Sequence, residues 1–394
     1  MKIGCFLPGE YMENKKTKKH NIILYIVFGT VFIVLFAISL YLFLPTFQPL
    51  DLTTSSPIYK EDRLYYNNLS RKNQFLYDAL VEAVDSFSEY TEEIHYTYKP
   101  EDFNQVVEYI TADHPEYFFV DYENIVPYVS ETHTKVKLAY RTDKETILKQ
   151  RKELNDKVKE IVSAIDDDMS DFEKELYIHD YLVENCVYLT EPKNATYVSN
   201  TAYGALCEGQ AYCDGYALAF KMLINEIDMF CCVVEGSIDN LAHMWNIIKV
   251  DDTYFHVDVT WNDSDNDEMQ YHGYMNLTEE RMSETHKVTT SVKFPAATTV
   301  FDYYDALGLT AKDNESLRSI LHESTLSAID SQRNYIELKL GYDCSEDELN
   351  STFHDVIALI NAEGKQLIMD AFIPSYCAED KNIINFKIFY EVTE

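Results

Sequence analysis

Positive charge is scarce in this chain: 33 Lys and Arg stand against 67 Asp and Glu, a net charge of −34. A surface of that sign repels nucleic acid and anionic lipid, so no nucleic-acid partner is expected. The excess could favour cationic substrates, but no single acidic stretch dominates, and a solvated face is the simpler reading. Cofactor signatures are missing as well. There is no Gly-rich phosphate loop, no HExxH and no calcium loop, so no cofactor and no metal are expected. The stretch 262–268 has calcium-like composition but lacks the spaced glycine and terminal glutamate, and reads as a solvated loop. Eight cysteines are few for a disulfide-stapled domain, and they form no C-x-x-C pair. Cys231 and Cys232 read as buried strand, while Cys344 and Cys377 could pair in an oxidising compartment. Internal repeats and low-complexity tracts are absent.

With 394 residues, 46% of them hydrophobic, the chain has material for two or three compact units. Charge is unevenly placed. Residues 1–20 hold five lysines against Glu10 and Glu13, a net of +3, which leaves −37 for the rest. Residues 21–44 contain no charge at all. At about 1.5 Å per residue that run is long enough for a hydrocarbon core of about 30 Å. It lacks the cleavage site of a signal peptide, and lysines precede it. The expectation is a cytoplasmic basic tail (1–20), a single N-terminal transmembrane signal anchor (21–44) and a stalk (45–63), with the remainder extracellular at the cell membrane.

Beyond the stalk the pattern is α+β. Residues 64–165 read as an N-terminal α/β region: a helix over 73–93, another near 102–112 that stops before Pro115, a hairpin, and a charged helix over 144–165. Ser170 and Glu173 form a capping box for a helix through Asn185. Residues 166–287 form the next unit, with a helix starting at Cys213 and strands CCVVEGSI, HMWNIIKV and TYFHVDVTW. Residues 288–394 alternate helices and strands without a reactive constellation and read as a C-terminal α+β accessory domain.

Three residues in the middle unit carry chemistry. Cys213 at a helix start faces unpaired N–H groups and the positive end of the macrodipole, which favour a thiolate. Gly215 beside it permits close backbone approach. Asp258 interrupts a run of β-formers and needs a local reason to be there. If Asp251-Asp252 is a two-residue hairpin turn, paired numbers sum to 503. His243 and Asp258 then share one face as diagonal neighbours. A nucleophile, a base and an orienter within 46 residues are the parts of a cysteine acyl-transfer site.

The segments Cys213-Asp214-Gly215-Tyr216-Ala217, His243-Met244-Trp245-Asn246 and Asp258-Val259-Thr260-Trp261, in that order, resemble the core of the transglutaminase-like superfamily in its bacterial extracellular form. The resemblance covers 186–287 well and runs more loosely upstream through DHPEYFFV. It implies a papain-like core in which a Cys-bearing helix packs on an antiparallel sheet bearing His and Asp, with Cys213, His243 and Asp258 catalytic. It also implies a thioester route on peptide or carboxamide bonds, ending as a peptidase, an amidase or a transglutaminase. Peptides, proteins or envelope glycopeptides are the expected partners, besides the membrane through the N-terminal helix. Cys207 is a rival thiol without the Gly-Tyr-Ala helix start, and Gln210 or Tyr203 could supply a second oxyanion donor. Two other readings stand beside the enzyme: a catalytically silent binding or assembly module at the cell surface, and a redox protein pairing Cys207 with Cys213.

Overall fold

The computed structural model describes residues 63–166, 168–263, 272–365, 367–376 and 382–390, with 367–376 as backbone. The expected fold class needs one correction. The architecture is mixed α+β, but among the described residues no helix is long and apolar enough to cross a membrane. Residues 1–62, which include the expected span at 21–44, lie outside the described ones, as does Cys377.

The N-terminal helices form where the pattern and the caps agree. Helix α1 (Arg71–Asp85) buries Leu76, Leu80, Ala83 and Val84, and the Ser70 hydroxyl accepts from the Asn73 N–H at its start. It ends eight residues earlier than the periodicity suggests. Phe87 adopts φ 53°, and the Ser86 hydroxyl bonds back to the Glu82 carbonyl, so the chain turns away. Helix α2 (Pro100–Asp113) stops before His114-Pro115, as the proline requires. A hairpin, with β1 (Val126–Val129) exposed and β2 (Thr134–Lys137) burying Thr134 and Val136, leads to helix α3 (Lys144–Val162). Helix α4 (Asp171–Asn185) carries the Ser170–Glu173 capping box.

Helix α5 (Cys213–Glu226) is the buried centre of the unit, with Tyr216, Phe220, Leu223 and Ile224 inaccessible to solvent. Its first turn is pressed against the preceding loop. A side chain at Gly215 would meet Ala211 Cβ at 2.6 Å and the Thr201 carbonyl at 3.0 Å. Two polar ties hold it from either side: Lys221 Nζ donates to the Asp113 carbonyl at 3.1 Å, and Asn246 Nδ2 donates to the Ala217 carbonyl at 2.9 Å. Both side chains are buried, where an unmade bond is costly.

The sheet against α5 consists of β3 (Cys231–Ile238), β4 (Leu241–Val250), β5 (Thr253–Val257) and β6 (Lys287–Val288), in the antiparallel order β5-β4-β3-β6. Cys231 and Cys232 are buried in it. Asp251 and Asp252 both have positive φ, 45° and 61°, the signature of a tight two-residue hairpin turn. The register is the expected one from Val250↔Thr253 to Asn246↔Val257. The strand then ends. Asp258 is the cap of a one-turn helix, α6 (Val259–Asn262), rather than a residue within a strand. On β3, Gly236 leaves room for the Trp245 ring, since a Cβ there would lie 2.4 Å from it.

Further on, helices α7 (Asn314–Asp330) and α8 (Glu346–Ala362) pack on a second sheet of β7 (Tyr335–Leu340), β8 (Leu367–Tyr376) and β9 (Ile383–Tyr390), with the two-residue strand Thr310–Ala311 at its edge. Leu317, Leu321, Leu338, Val356, Ile360 and Phe386 make a separate apolar core there.

Candidate active site

The end of the β4–β5 hairpin and the start of α5 meet because β5 stops early. Beyond Asn246, β4 has no β5 partner, and the Cys213 thiol lies against the Met244 N–H, one residue from His243. His243 Nε2 bonds Asp258 Oδ2 at 2.6 Å. A contact that short is a charge-assisted hydrogen bond, and it leaves Nδ1 as the nitrogen that can take a thiol proton. Asp258 Oδ1 accepts the Trp261 N–H at 3.1 Å, the N-cap bond of α6. That cap is the local reason for an aspartate beside a run of β-formers. The hairpin register alone would make His243 and Asp258 sheet neighbours. They meet through the cap instead.

A second imidazole, His286, also reaches Asp258 Oδ2, at 2.9 Å, with no exposed side-chain surface. No pattern in the sequence points to it. It lies 28 residues past Asp258, just before the two-residue strand β6. Its ring sits among Trp245 at 5.0 Å, Trp261 at 5.1 Å and Tyr274 at 5.5 Å. The Trp245 ring also stacks along His243, 18° from parallel. Trp245 Nε1 donates to His256 Nδ1 at 3.0 Å, and burial, followed by the His286 charge, holds His256 down at about 4. Burial alone would push the Asp258 carboxyl up. His243 and His286 together outweigh it and hold the group at about 2.

Cys213 differs from the sequence expectation in its charge. Burial, then the Asp214 carboxylate, pushes its thiol up to about 12, against the smaller pull of the Met244 N–H. The sulfur donates to Asp214 Oδ1 at 3.2 Å, and Asp214 is itself held by Asn200 Nδ2 at 3.0 Å. A carboxylate at the second position of a helix favours the helix end but opposes a thiolate beside it. The resting group is therefore a neutral thiol that needs a base at the moment of attack. Cys207 lies in a π-helical turn (Gly204–Glu208), pushed up to about 12 by burial and by Glu153, and both it and Cys213 are free. Tyr203 donates to Glu153 at 2.9 Å and stacks on Phe118, and Gln210 pairs with Val187 in a two-residue parallel bridge. The Cys213 N–H is among the four donors that a helix start leaves without an intrahelical partner.

Among the described residues, two sets of side chains bring three ligand-type atoms within 4.8 Å: His243, Asp258 and His286, and His179, Asp180 and His272. Neither spacing fits a metal centre. Two ligands about 2.0–2.1 Å from one zinc stand about 3.3 Å apart in a tetrahedron, whereas the contacts here are 2.6 and 2.9 Å in the first set and both 2.9 Å in the second. The second set is a hydrogen-bond chain. The Tyr274 N–H occupies Asn262 Oδ1, so Asn262 Nδ2 donates to His179 Nε2, and His179 Nδ1–H donates to Asp180. His272 spans Asp180 and, at 2.7 Å, Glu337 on β7. Burial disfavours its charge, but Glu337 and Asp180 outweigh that and raise it to about 10. The chain of bonds thus runs from the second sheet to Asn262, the last residue of the helix that Asp258 caps.

The sequence model of the Transglutaminase-like superfamily matches residues 156–259. A comparison with curated proteins finds no match. Among solved structures, similar chains include one titled as a TGase, at 13% identity and TM-score 0.28, covering 50% of this chain and 60% of that one. A candidate cysteine protease from Cytophaga hutchinsonii has 12% identity and TM-score 0.23, covering 35% of this chain and 61% of that one. A candidate protease from Parabacteroides distasonis has 12% identity and TM-score 0.23, covering 35% of each chain. This chain thus spans less than two thirds of each of those structures, and at such TM-scores the likeness adds nothing to the geometry above. The matched segment holds Cys213, His243 and Asp258, and the chain carries, at residues 156–259, a transglutaminase-like superfamily domain.

Proposed function

We propose that the protein is a cysteine acyl-transfer enzyme acting on peptide or carboxamide bonds through a thioester. The observation that carries this reading is the 2.6 Å bond from His243 Nε2 to Asp258, beside a helix-start thiol at the neighbouring Met244 N–H. Cys213 Sγ attacks the carbonyl carbon while its proton passes to His243 Nδ1, and Asp258 stabilises the imidazolium that forms. The Cys213 N–H is placed to donate a hydrogen bond to the developing oxyanion. Collapse expels the amine, which takes the proton from His243 and leaves the acyl group on sulfur. Water then releases an acid, or a second amine takes the acyl group; both acceptors use the same intermediate.

Because the thiol rests protonated, His243 acts as a general base during attack rather than as a standing ion-pair partner. The test is mass spectrometry of peptide and envelope-glycopeptide mixtures, with and without an added primary amine, incubated with wild type and Cys213→Ala. Cleaved or amine-exchanged products that vanish in Cys213→Ala support the reading. Products that persist in the variant, or none in the wild type, sink it.

A further inference from the structure

We propose that His286 is a positioning residue for the acyl-transfer site, a second imidazole that locks Asp258 so that the carboxylate presents one fixed oxygen to His243. The inference rests on the acyl-transfer reading of Cys213, His243 and Asp258. His286 lies outside the segment that matches the superfamily, 27 residues beyond its end at 259.

The bonds around Asp258 leave its carboxylate one orientation. Oδ1 is taken by the Trp261 N–H at 3.1 Å, and Oδ2 receives His243 at 2.6 Å and His286 at 2.9 Å. A buried carboxylate that bonded only to Trp261 and His243 could rotate about its terminal bond and carry His243 with it. The third bond removes that freedom. His286 is itself held at three points. Its N–H bonds the Met282 carbonyl at 2.9 Å, its Nδ1 meets the Thr285 hydroxyl at 2.7 Å, and Trp245, Trp261 and Tyr274 surround its ring. A hydroxyl donating to Nδ1 leaves the proton on Nε2, the atom that faces Asp258. The order of bonds is therefore Thr285, His286, Asp258, His243.

The sharing has an electrostatic side. A carboxylate oxygen that accepts two N–H bonds offers less negative charge to either donor. Without His286, Asp258 would attract a proton on His243 more strongly and hold the ring less firmly. The other titratable or charged groups facing this site are Cys213 and Asp214 from α5, His256 from β5, Tyr188 from the strand residue pair Val187–Tyr188, and Tyr274 from the loop before β6. The Tyr274 carbonyl accepts the Asp258 backbone N–H at 3.0 Å, while the Asp258 carboxylate bonds the Trp261 N–H, His243 and His286.

The test compares His286→Leu, His286→Asn and His286→Gln. A Gln amide nitrogen reaches the place of Nε2, whereas an Asn amide stops short of it. The probe is p-nitrophenyl acetate, with rates followed against pH and the acyl group located on the intact protein. For Leu and Asn the expected result is a kcat about tenfold lower with KM within about twofold, and an acidic limb of the rate profile moved to higher pH. Gln is expected to restore both rate and profile. Wild-type behaviour in Leu and Asn overturns the proposal, and so does a Gln variant that is folded yet impaired as much as Asn. Should wild type carry no acetyl group on Cys213, the acyl-transfer reading fails by itself. The pH profile of Cys213 alkylation by iodoacetamide, which needs no acyl chemistry, then decides the role of His286: Asn shifts it and Gln does not, or the proposal falls.

Discussion

Replacing Asp258 by Asn is expected to lower kcat by about 10⁴-fold while the protein stays folded. The fold should survive because Asn caps helices about as well as Asp, so the Trp261 N–H keeps an acceptor. The loss comes from the other end of the side chain. With its oxygen on Trp261, the amide must turn its NH₂ toward His243 and His286, both of which use Nε2 to reach that place. Two donors cannot face a third. His243 can relieve the clash only by moving its proton from Nε2 to Nδ1, the nitrogen needed to receive the thiol proton. A base in that tautomer is no base for Cys213, whose thiol is pushed up to about 12 and cannot ionise unaided. Steady-state turnover of any substrate found in the peptide mixtures checks this, beside circular dichroism for the fold. A loss of tenfold or less would mean that Asp258 is a helix cap with no part in orienting the base.

Truncating Trp245 to Ala is expected to cost about 3–5 kcal/mol of stability, a shift in the folding equilibrium of about 150-fold to 4,000-fold. The ring is 1% exposed and fills the sheet face between Gly236, His243 and His286. Its removal leaves a cavity and deprives His256 Nδ1 of its donor. The site is the wall's other occupant, so activity should fall at temperatures where the variant is still folded, because the His243 ring loses its stacked neighbour. Urea denaturation gives the first quantity and turnover well below the melting midpoint the second. A loss under about 1 kcal/mol would show that the surrounding aromatic rings collapse into the space, and that the wall is not what holds His243.

The sequence and the structure agree where local chemistry decides the outcome. The Ser170–Glu173 capping box, the Pro115 stop and the Asp251-Asp252 turn each appear as read, because each depends on residues within a few positions of one another. The β4–β5 register follows from that turn. Three features escaped the sequence reading. The thiol of Cys213 is governed less by its helix start than by burial and Asp214, so its protonation ran opposite to the expectation. Asp258 proved to be a cap because β5 ends at Val257, which the β-rich run TYFHVDVTW conceals. The chain from Asn262 through His179, Asp180 and His272 to Glu337 arises only once the second sheet packs near α4, and His286 reaches Asp258 beside the pairing of β6 with β3; no spacing in the sequence records either contact.

The account stands most directly on the intact mass of protein quenched during reaction with p-nitrophenyl acetate. It predicts one acetyl group on Cys213 in the wild type and acylation slowed about 100-fold or more in His243→Ala. Acetylation of Cys213 at an unchanged rate without His243, or acetyl groups found only elsewhere, would contradict it.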